Sequence, residues 1–306
     1  EKNRDAIHVP HIASDDAWWT GLALVNTTDT EKTLTIRFDT GPTEQVTMAS
    51  GAQKSFSIRD RLGAAQPDIE SAEIEGGAGV IGLELFGGDG ILSGVLLRDA
   101  CADTLYFPHV ATEGTWWTGI AAYNPASAGA DLTITPYKED GTPLGEFSES
   151  IPAGEKYLTN AEKSELPEDA AWFKIDSTRP LSGFELFCGS SPARLGGYSA
   201  VDIKRQQGVF PKLAQQGWTG IAFVNTADSR ADVTLRLYKD DGSQVNQTTI
   251  TKQLDPHEKV VQTGQDLFGA AAADGDYIGF SADNDVVGFQ LNSSANNRML
   301  DGLPGM

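Results

Sequence analysis

Glu84 and Glu185 recur in matching contexts, Gly82-Leu83-Glu84-Leu85-Phe86 and Gly183-Phe184-Glu185-Leu186-Phe187, and a recurring carboxylate is the natural starting point for acid–base chemistry. Glycoside hydrolysis would need two such groups at a controlled separation. No second carboxylate recurs beside them, and the third copy of the context, Gly288-Phe289-Gln290-Leu291-Asn292, carries an amide instead. Alternation puts Leu83/Leu85 and Phe184/Leu186 in the core and turns both glutamates toward solvent or an interface. His11 and His109 form another recurring set, but Lys212 takes the third place, which a metal site could not use. Asp283-Asn284-Asp285 and Asp274-Gly275-Asp276 superficially suggest calcium ligands. The first aligns with Ser177-Thr178-Arg179-Pro180 and reads as a turn. There is no P-loop, Gly-x-Ser-x-Gly, HExxH or Rossmann fingerprint, and Cys101 and Cys188 make neither a CxxC nor a Cys/His cluster. The expectation is a chain without a catalytic set, a cofactor or a metal site.

Binding is the other chemistry to consider. Trp18-Trp19-Thr20-Gly21-Leu22-Ala23 recurs as Trp116-Trp117-Thr118-Gly119-Ile120-Ala121 and Trp218-Thr219-Gly220-Ile221-Ala222, followed at one offset by Asn26, Asn124 and Asn225. Trp19, Gly21 and Ala23 share one face of the strand, as do their counterparts. Small residues beside a large ring admit close packing, by an opposite sheet, a crossing loop or a ligand. Trp18 and Trp116 fall on the opposite face, and Gly217 replaces them in the third copy. Exposed Trp faces stack on sugar rings, with polar groups fixing orientation. Trp18, Trp116, Asn26 and Asn124 are therefore the candidate glycan-binding residues, with plain packing or an inter-module contact as the other reading.

The elements that must position these residues repeat three times. His8-Val9-Pro10-His11-Ile12-Ala13 returns as Tyr106-Phe107-Pro108-His109-Val110-Ala111 and Val209-Phe210-Pro211-Lys212-Leu213-Ala214, the prolines being 98 and then 103 residues apart. Tyr137-Lys138-Glu139-Asp140-Gly141 matches Tyr238-Lys239-Asp240-Asp241-Gly242 as a hairpin turn. Several anchors in one order signal duplication. Each copy predicts seven or eight short strands and at most one short helix, at 59–62, 160–166 and 265–268. The fold class is all-β: three tandem sandwich modules, Ig-like or jelly-roll-like, over 1–103, 104–206 and 207–306.

The run Trp-Thr-Gly-Ile-Ala-x-x-Asn, followed by a strand and a Tyr-Lys-x-Asp-Gly turn, resembles an uncharacterised β-sandwich repeat of secreted bacterial proteins. The resemblance covers all three modules, implies an extracellular location and a modular role, and carries no catalytic residues to transfer. Composition is that of a folded protein. The chain has 306 residues, 40% hydrophobic, with 43 acidic against 23 basic residues and a net charge of −20. Such a surface repels phosphate backbones and anionic lipid, which argues against nucleic acid and membrane surfaces as partners. No apolar run approaches the length of a spanning helix. The chain opens on Glu1, which reads as a processed start. The expected partners are other copies of the chain or a cell-surface glycan or protein.

Two expectations concern covalent and quaternary structure. Cys101 enters module 2 and Cys188 ends one of its strands, so in a secreted chain they are a candidate disulfide. From Gly94 to Pro108 and from Gly197 to Pro211 there are 13 intervening residues, and the two chain ends, four residues after Gly302 and nine before Pro10, together have that length. The termini could therefore complete a linker, by closing a ring or by a head-to-tail contact that propagates as a filament; the agreement could also be coincidence with frayed ends. Ala6, Ile7, His8 and Val9 with Leu303 and Pro304 are the candidate assembly residues.

Overall fold

The computed structural model describes residues 6–88, 90–111, 116–160, 166–190, 193–295 and 300–305. Among the described residues it is all-β, with two α-helices, Ile58–Leu62 and Gly264–Phe268, and a 3-10 segment, Gly269–Asp274. Among the described residues, every strand ladder joins strands within 6–98, 102–201 or 205–305, here modules 1, 2 and 3. The first strands of modules 2 and 3 begin at Ala102 and Arg205, slightly upstream of the expected boundaries.

One strand order recurs. In module 1 the first sheet runs Ala6–Val9, Ala72–Glu75, Lys32–Phe38, Thr43–Met48, and the second runs Gln53–Ser57, Trp19–Asn26, Val80–Gly88, Ile91–Leu96. Modules 2 and 3 repeat it, except that two strands fuse into one, Trp172–Ser190 and Tyr277–Ser293. The first half of the long strand in module 2 pairs with Ala102–Phe107 and Ala130–Tyr137, and its second half with Trp116–Tyr123 and Ala193–Ser199. The sequence predicts two strands there, at 172–176 and 181–187. Ser177-Thr178-Arg179-Pro180 carries the chain from one sheet to the other without breaking it, whereas Gly76, Gly77 and Gly79 interrupt the same passage in module 1.

Each sandwich encloses its own core: Leu22, Leu24, Leu34, Ile36 and Ile74 in module 1, with equivalent sets around Phe107 and Phe173 and around Phe223 and Phe280. The helices follow from their caps. Ser57 and Thr263 accept from the N–H groups of Asp60 and Asp266, and Asp266 returns the bond to complete a capping box. The helical turn expected around 160–166 falls largely outside the described residues.

Two expectations are corrected. Cys101 and Cys188 are not joined in a disulfide. Ala102 pairs opposite Leu181, and Cys188 lies seven residues further along that strand. At ~3.3 Å per residue this puts the two thiols about 20 Å apart, far beyond disulfide reach. The assembly candidates lie on two paired strands: Ala6–Val9 pairs with Ala72–Glu75, and Leu303 and Pro304 pair with Gln290 and Phe289, on a strand that also contacts Ala193–Ser199 of module 2 and Ile91–Leu96 of module 1. The glutamates point inward. Glu84 and Glu185 are fully buried, because it is Leu83, Leu85, Phe184 and Leu186 that occupy the outer face of the second sheet.

Candidate functional site

The inner face of each module's second sheet serves two cores. Its middle packs on the module's own first sheet, through Leu22 or Ile120. Its end is roofed by the outer face of the next module's second sheet. Phe86 and Val95 of module 1 meet Ala121, Phe184, Leu186 and Leu195 of module 2. Phe187 and Tyr198 of module 2 meet Ala222, Phe289, Leu291 and Leu300 of module 3. His11 completes the first junction, 6.2 Å from Phe86 and 6.5 Å from Phe184, and His109 the second, 6.1 Å from both Phe187 and Phe289.

A lysine crosses each junction. Lys156 Nζ donates to the carbonyl of Glu70 at 2.5 Å, and Lys259 Nζ to the carbonyl of Ala171 at 2.7 Å. The same two carbonyls accept from Ile12 N and Val110 N, so each lysine binds the backbone that anchors its histidine segment. Lys259 also lies 3.0 Å from His109 Nδ1. An ammonium has only donors, so the imidazole accepts there and carries its proton on Nε2. Burial, and then the lysine charge, push both His11 and His109 down to about 3. Burial likewise pushes Lys259 down to about 8.

The buried acids are explained by the third module. Gln290, at the same position, donates from Nε2 to the carbonyl of Lys212, the residue corresponding to His11 and His109. A protonated carboxyl is the closest mimic of that amide. Tyr198 Oη lies 3.0 Å from both Glu185 Oε2 and the His109 carbonyl. Its single proton serves the carbonyl if Glu185 is the acid that donates to the phenol. Burial raises both Glu84 and Glu185 well above the ordinary carboxylate range, in keeping with neutral acids.

The predicted ligand residues have other work. Asn26, Asn124 and Asn225 are fully buried. Each donates from Nδ2 to three carbonyls, those of Thr30, Met48 and Ala49 for Asn26, and of Ser229, Leu254 and Asp255 for Asn225. They tie two turns together and cannot reach a ligand. Trp18 and Trp116 are half-buried rather than free platforms. Trp18 packs against the first junction core, and Trp116 lies against Phe187 with the Arg194 guanidinium 4.7 Å over its ring. The recurring glycine is explained by its own strand: a Cβ on Gly21, Gly119 or Gly220 would stand 3.1, 2.9 or 3.3 Å from the ring of Trp19, Trp117 or Trp218.

The second junction opens to solvent as a cleft of about 710 Å³, walled by Trp116, Trp218, His109, Phe187 and Leu291, with Lys259 at its base and Glu139, Asp140, Glu168 and Asp169 along its rim. Sequence reasoning missed Lys156, Lys259, Phe86 and Phe187. The signal was in the outermost copies, where Gln53 replaces the lysine and Asn292 the phenylalanine.

No protein-family model and no curated protein matches the chain. Among solved structures it is similar to Thermotoga maritima 1070, at 16% identity over 33% of this chain and 94% of that one, with a TM-score of 0.30. It is also similar to the Anabaena sensory rhodopsin transducer, at 17% identity over 27% and 92%, with a TM-score of 0.22.

Proposed function

We propose that the chain is a non-catalytic structural subunit of the cell exterior in which three sandwiches act as one stiff body. The observation that supports this reading is the pair of junctions, each combining an apolar core with a lysine bound to a backbone carbonyl of the preceding module. The titratable groups that recur are used in holding modules together, and domains meant to move independently dock through looser, more polar faces. The location rests on the resemblance of the Trp-Thr-Gly-x-Ala-x-x-Asn run and on the net charge of −20. Among the described residues, no helix is long and apolar enough to cross a membrane. Small-angle scattering with negative-stain imaging is the test. One particle shape with fixed angles between modules is expected; beads at variable angles would overturn the reading.

The cleft favours a second reading, a glycan-binding or adhesive role. The half-buried rings of Trp116 and Trp218 both line it, with acidic groups at the rim, and a sugar could pack against what they leave open. A glycan array, followed by tryptophan-fluorescence titration of any hit, tests it. Binding lost in Trp218→Ala supports this reading, and an array without hits removes it.

A further inference from the structure

The lysines of the two junctions meet different side chains. Glu70 of module 1 and Ala171 of module 2 are equivalent positions. Each stands two residues before a residue paired with the module's first strand, Ala72 with Val9 and Phe173 with Phe107, and each gives its carbonyl to the crossing lysine. At the first junction the Glu70 carboxylate also takes the ammonium of Lys156, at 3.3 Å. At the second junction Ala171 has no such side chain. Among the described residues Lys259 Nζ has two hydrogen-bond partners, the Ala171 carbonyl and His109 Nδ1, and no carboxylate within ion-pair distance. An ammonium has three donors, so one is left over. His109, whose proton is on Nε2, brings another donor. Lys259, His109 and Ala171 all line the cleft of about 710 Å³. Where the first junction has a carboxylate, the second has the open cleft.

The rest of the cleft narrows the ligand. Trp116, Trp218, Phe187 and Leu291 give it apolar walls, and the acids at the rim give it hydrogen-bond acceptors. Its volume is that of a small-molecule site. A ligand that fits carries a carboxylate for Lys259 and His109, an apolar ring face for the tryptophans, and hydroxyl groups that donate to the rim. A sugar acid has all three. The rim also limits how many carboxylates the ligand brings. Asp169 is paired with Lys138 at 2.6 Å, but Glu139, Asp140 and Glu168 would repel a run of acidic sugars, on a chain whose net charge is already −20. A single carboxylate set on the buried lysine is offset at short range, where salt screens little. We propose that the cleft at the second junction binds a glycan through one terminal uronic acid, whose carboxylate stands on Lys259 as that of Glu70 stands on Lys156.

This rests on the glycan-binding reading above and narrows it. Tryptophan-fluorescence titration of the whole chain with methyl glucuronoside and with methyl glucoside is the test, because the two sugars differ only in a carboxylate for a hydroxymethyl group. The glucuronoside should bind in the millimolar range or tighter, and the glucoside at least about tenfold more weakly, for want of one charge-assisted pair. This comparison needs no variant. Ala171→Glu supplies the side chain of the first junction and should abolish glucuronoside binding while leaving the melting temperature at or above that of the wild type. Lys259→Met should erase the preference between the two sugars. Equal binding of both sugars, or unchanged glucuronoside binding in folded Ala171→Glu, would overturn this proposal and leave the glycan reading standing. Phenylacetate bound more tightly than the glucuronoside would assign the cleft to a carboxylate without a sugar, and would overturn it too. A wild type that binds neither sugar would also overturn it, and the glycan array then decides the wider reading on its own.

Discussion

Lys259 of module 3 donates from Nζ to the carbonyl oxygen of Ala171 in module 2, 2.7 Å away, and so joins two sandwiches through one side chain. Its stem and head are both enclosed, and its partners are a backbone carbonyl and a neutral imidazole rather than a carboxylate. Lys259→Ala should lower stability by about 2–4 kcal/mol, by leaving a cavity and stripping a donor from the junction. Lys259→Met keeps the stem and should lose roughly half as much. Urea denaturation measures both, and losses below about 0.5 kcal/mol in the two variants would show that the lysine does not hold the junction.

Glu185 can be replaced by the residue that module 3 already uses. Glu185→Gln should match or exceed the wild type in stability near neutral pH, because the amide needs no proton to stay uncharged. The sign follows from the raised folded-state pKa. Stability from the protonated acid is fully present below the unfolded value of ~4.3 and is lost as pH rises toward the folded value. Melting temperature against pH should therefore fall less steeply on that side in Glu84→Gln/Glu185→Gln. Identical slopes in variant and wild type would contradict neutral acids at the junctions.

The histidines act on the acid side. Both His11 and His109 are pushed down to about 3 by burial, so the unfolded chain binds protons that the folded chain refuses. Stability should decline as pH falls from ~6.5 toward 3, by about 1.4 kcal/mol per pH unit for each histidine. In His11→Gln/His109→Gln that part of the decline should flatten, a change readable by urea midpoints at several pH values. A wild-type midpoint unchanged between pH 6.5 and 4 would refute the assignment.

Asn225→Ala should cost about 3 kcal/mol, since it leaves three carbonyls without their shared donor, one of them deeply buried at Leu254. Asn26→Ala and Asn124→Ala should behave alike, because the bonds recur. Calorimetry showing near-wild-type melting for all three would return these residues to the list of ligand groups.

Cys101 and Cys188 should both titrate as thiols in unfolded, unreduced protein, by mass spectrometry after alkylation. A recovered intramolecular bridge would require the strand register between Ala102 and Leu181 to be abandoned.

The amino-acid sequence by itself determined the elements and their repetition. Period-two alternation in Trp117–Tyr123, the Lys138–Gly141 turn and the capping residues Ser57 and Thr263 act over a few residues, and they specify strands, a hairpin and two helix starts wherever they occur. Tertiary structure decided which face of each strand is inside. Alternation divides Gly183-Phe184-Glu185-Leu186-Phe187 into two faces without ranking them, and the apolar pair Phe184/Leu186 reads as the core. In the stacked chain both faces are covered, one by the module's own first sheet and one by its neighbour, so Glu185 is fully buried beside Tyr198 while Phe184 faces module 1. The same holds for Asn26, whose three acceptors lie on two turns that only folding brings together. It holds again for Lys259, whose partner Ala171 is 88 residues away in the chain. Such pairings depend on how whole sheets stack, and local spacing carries no record of that.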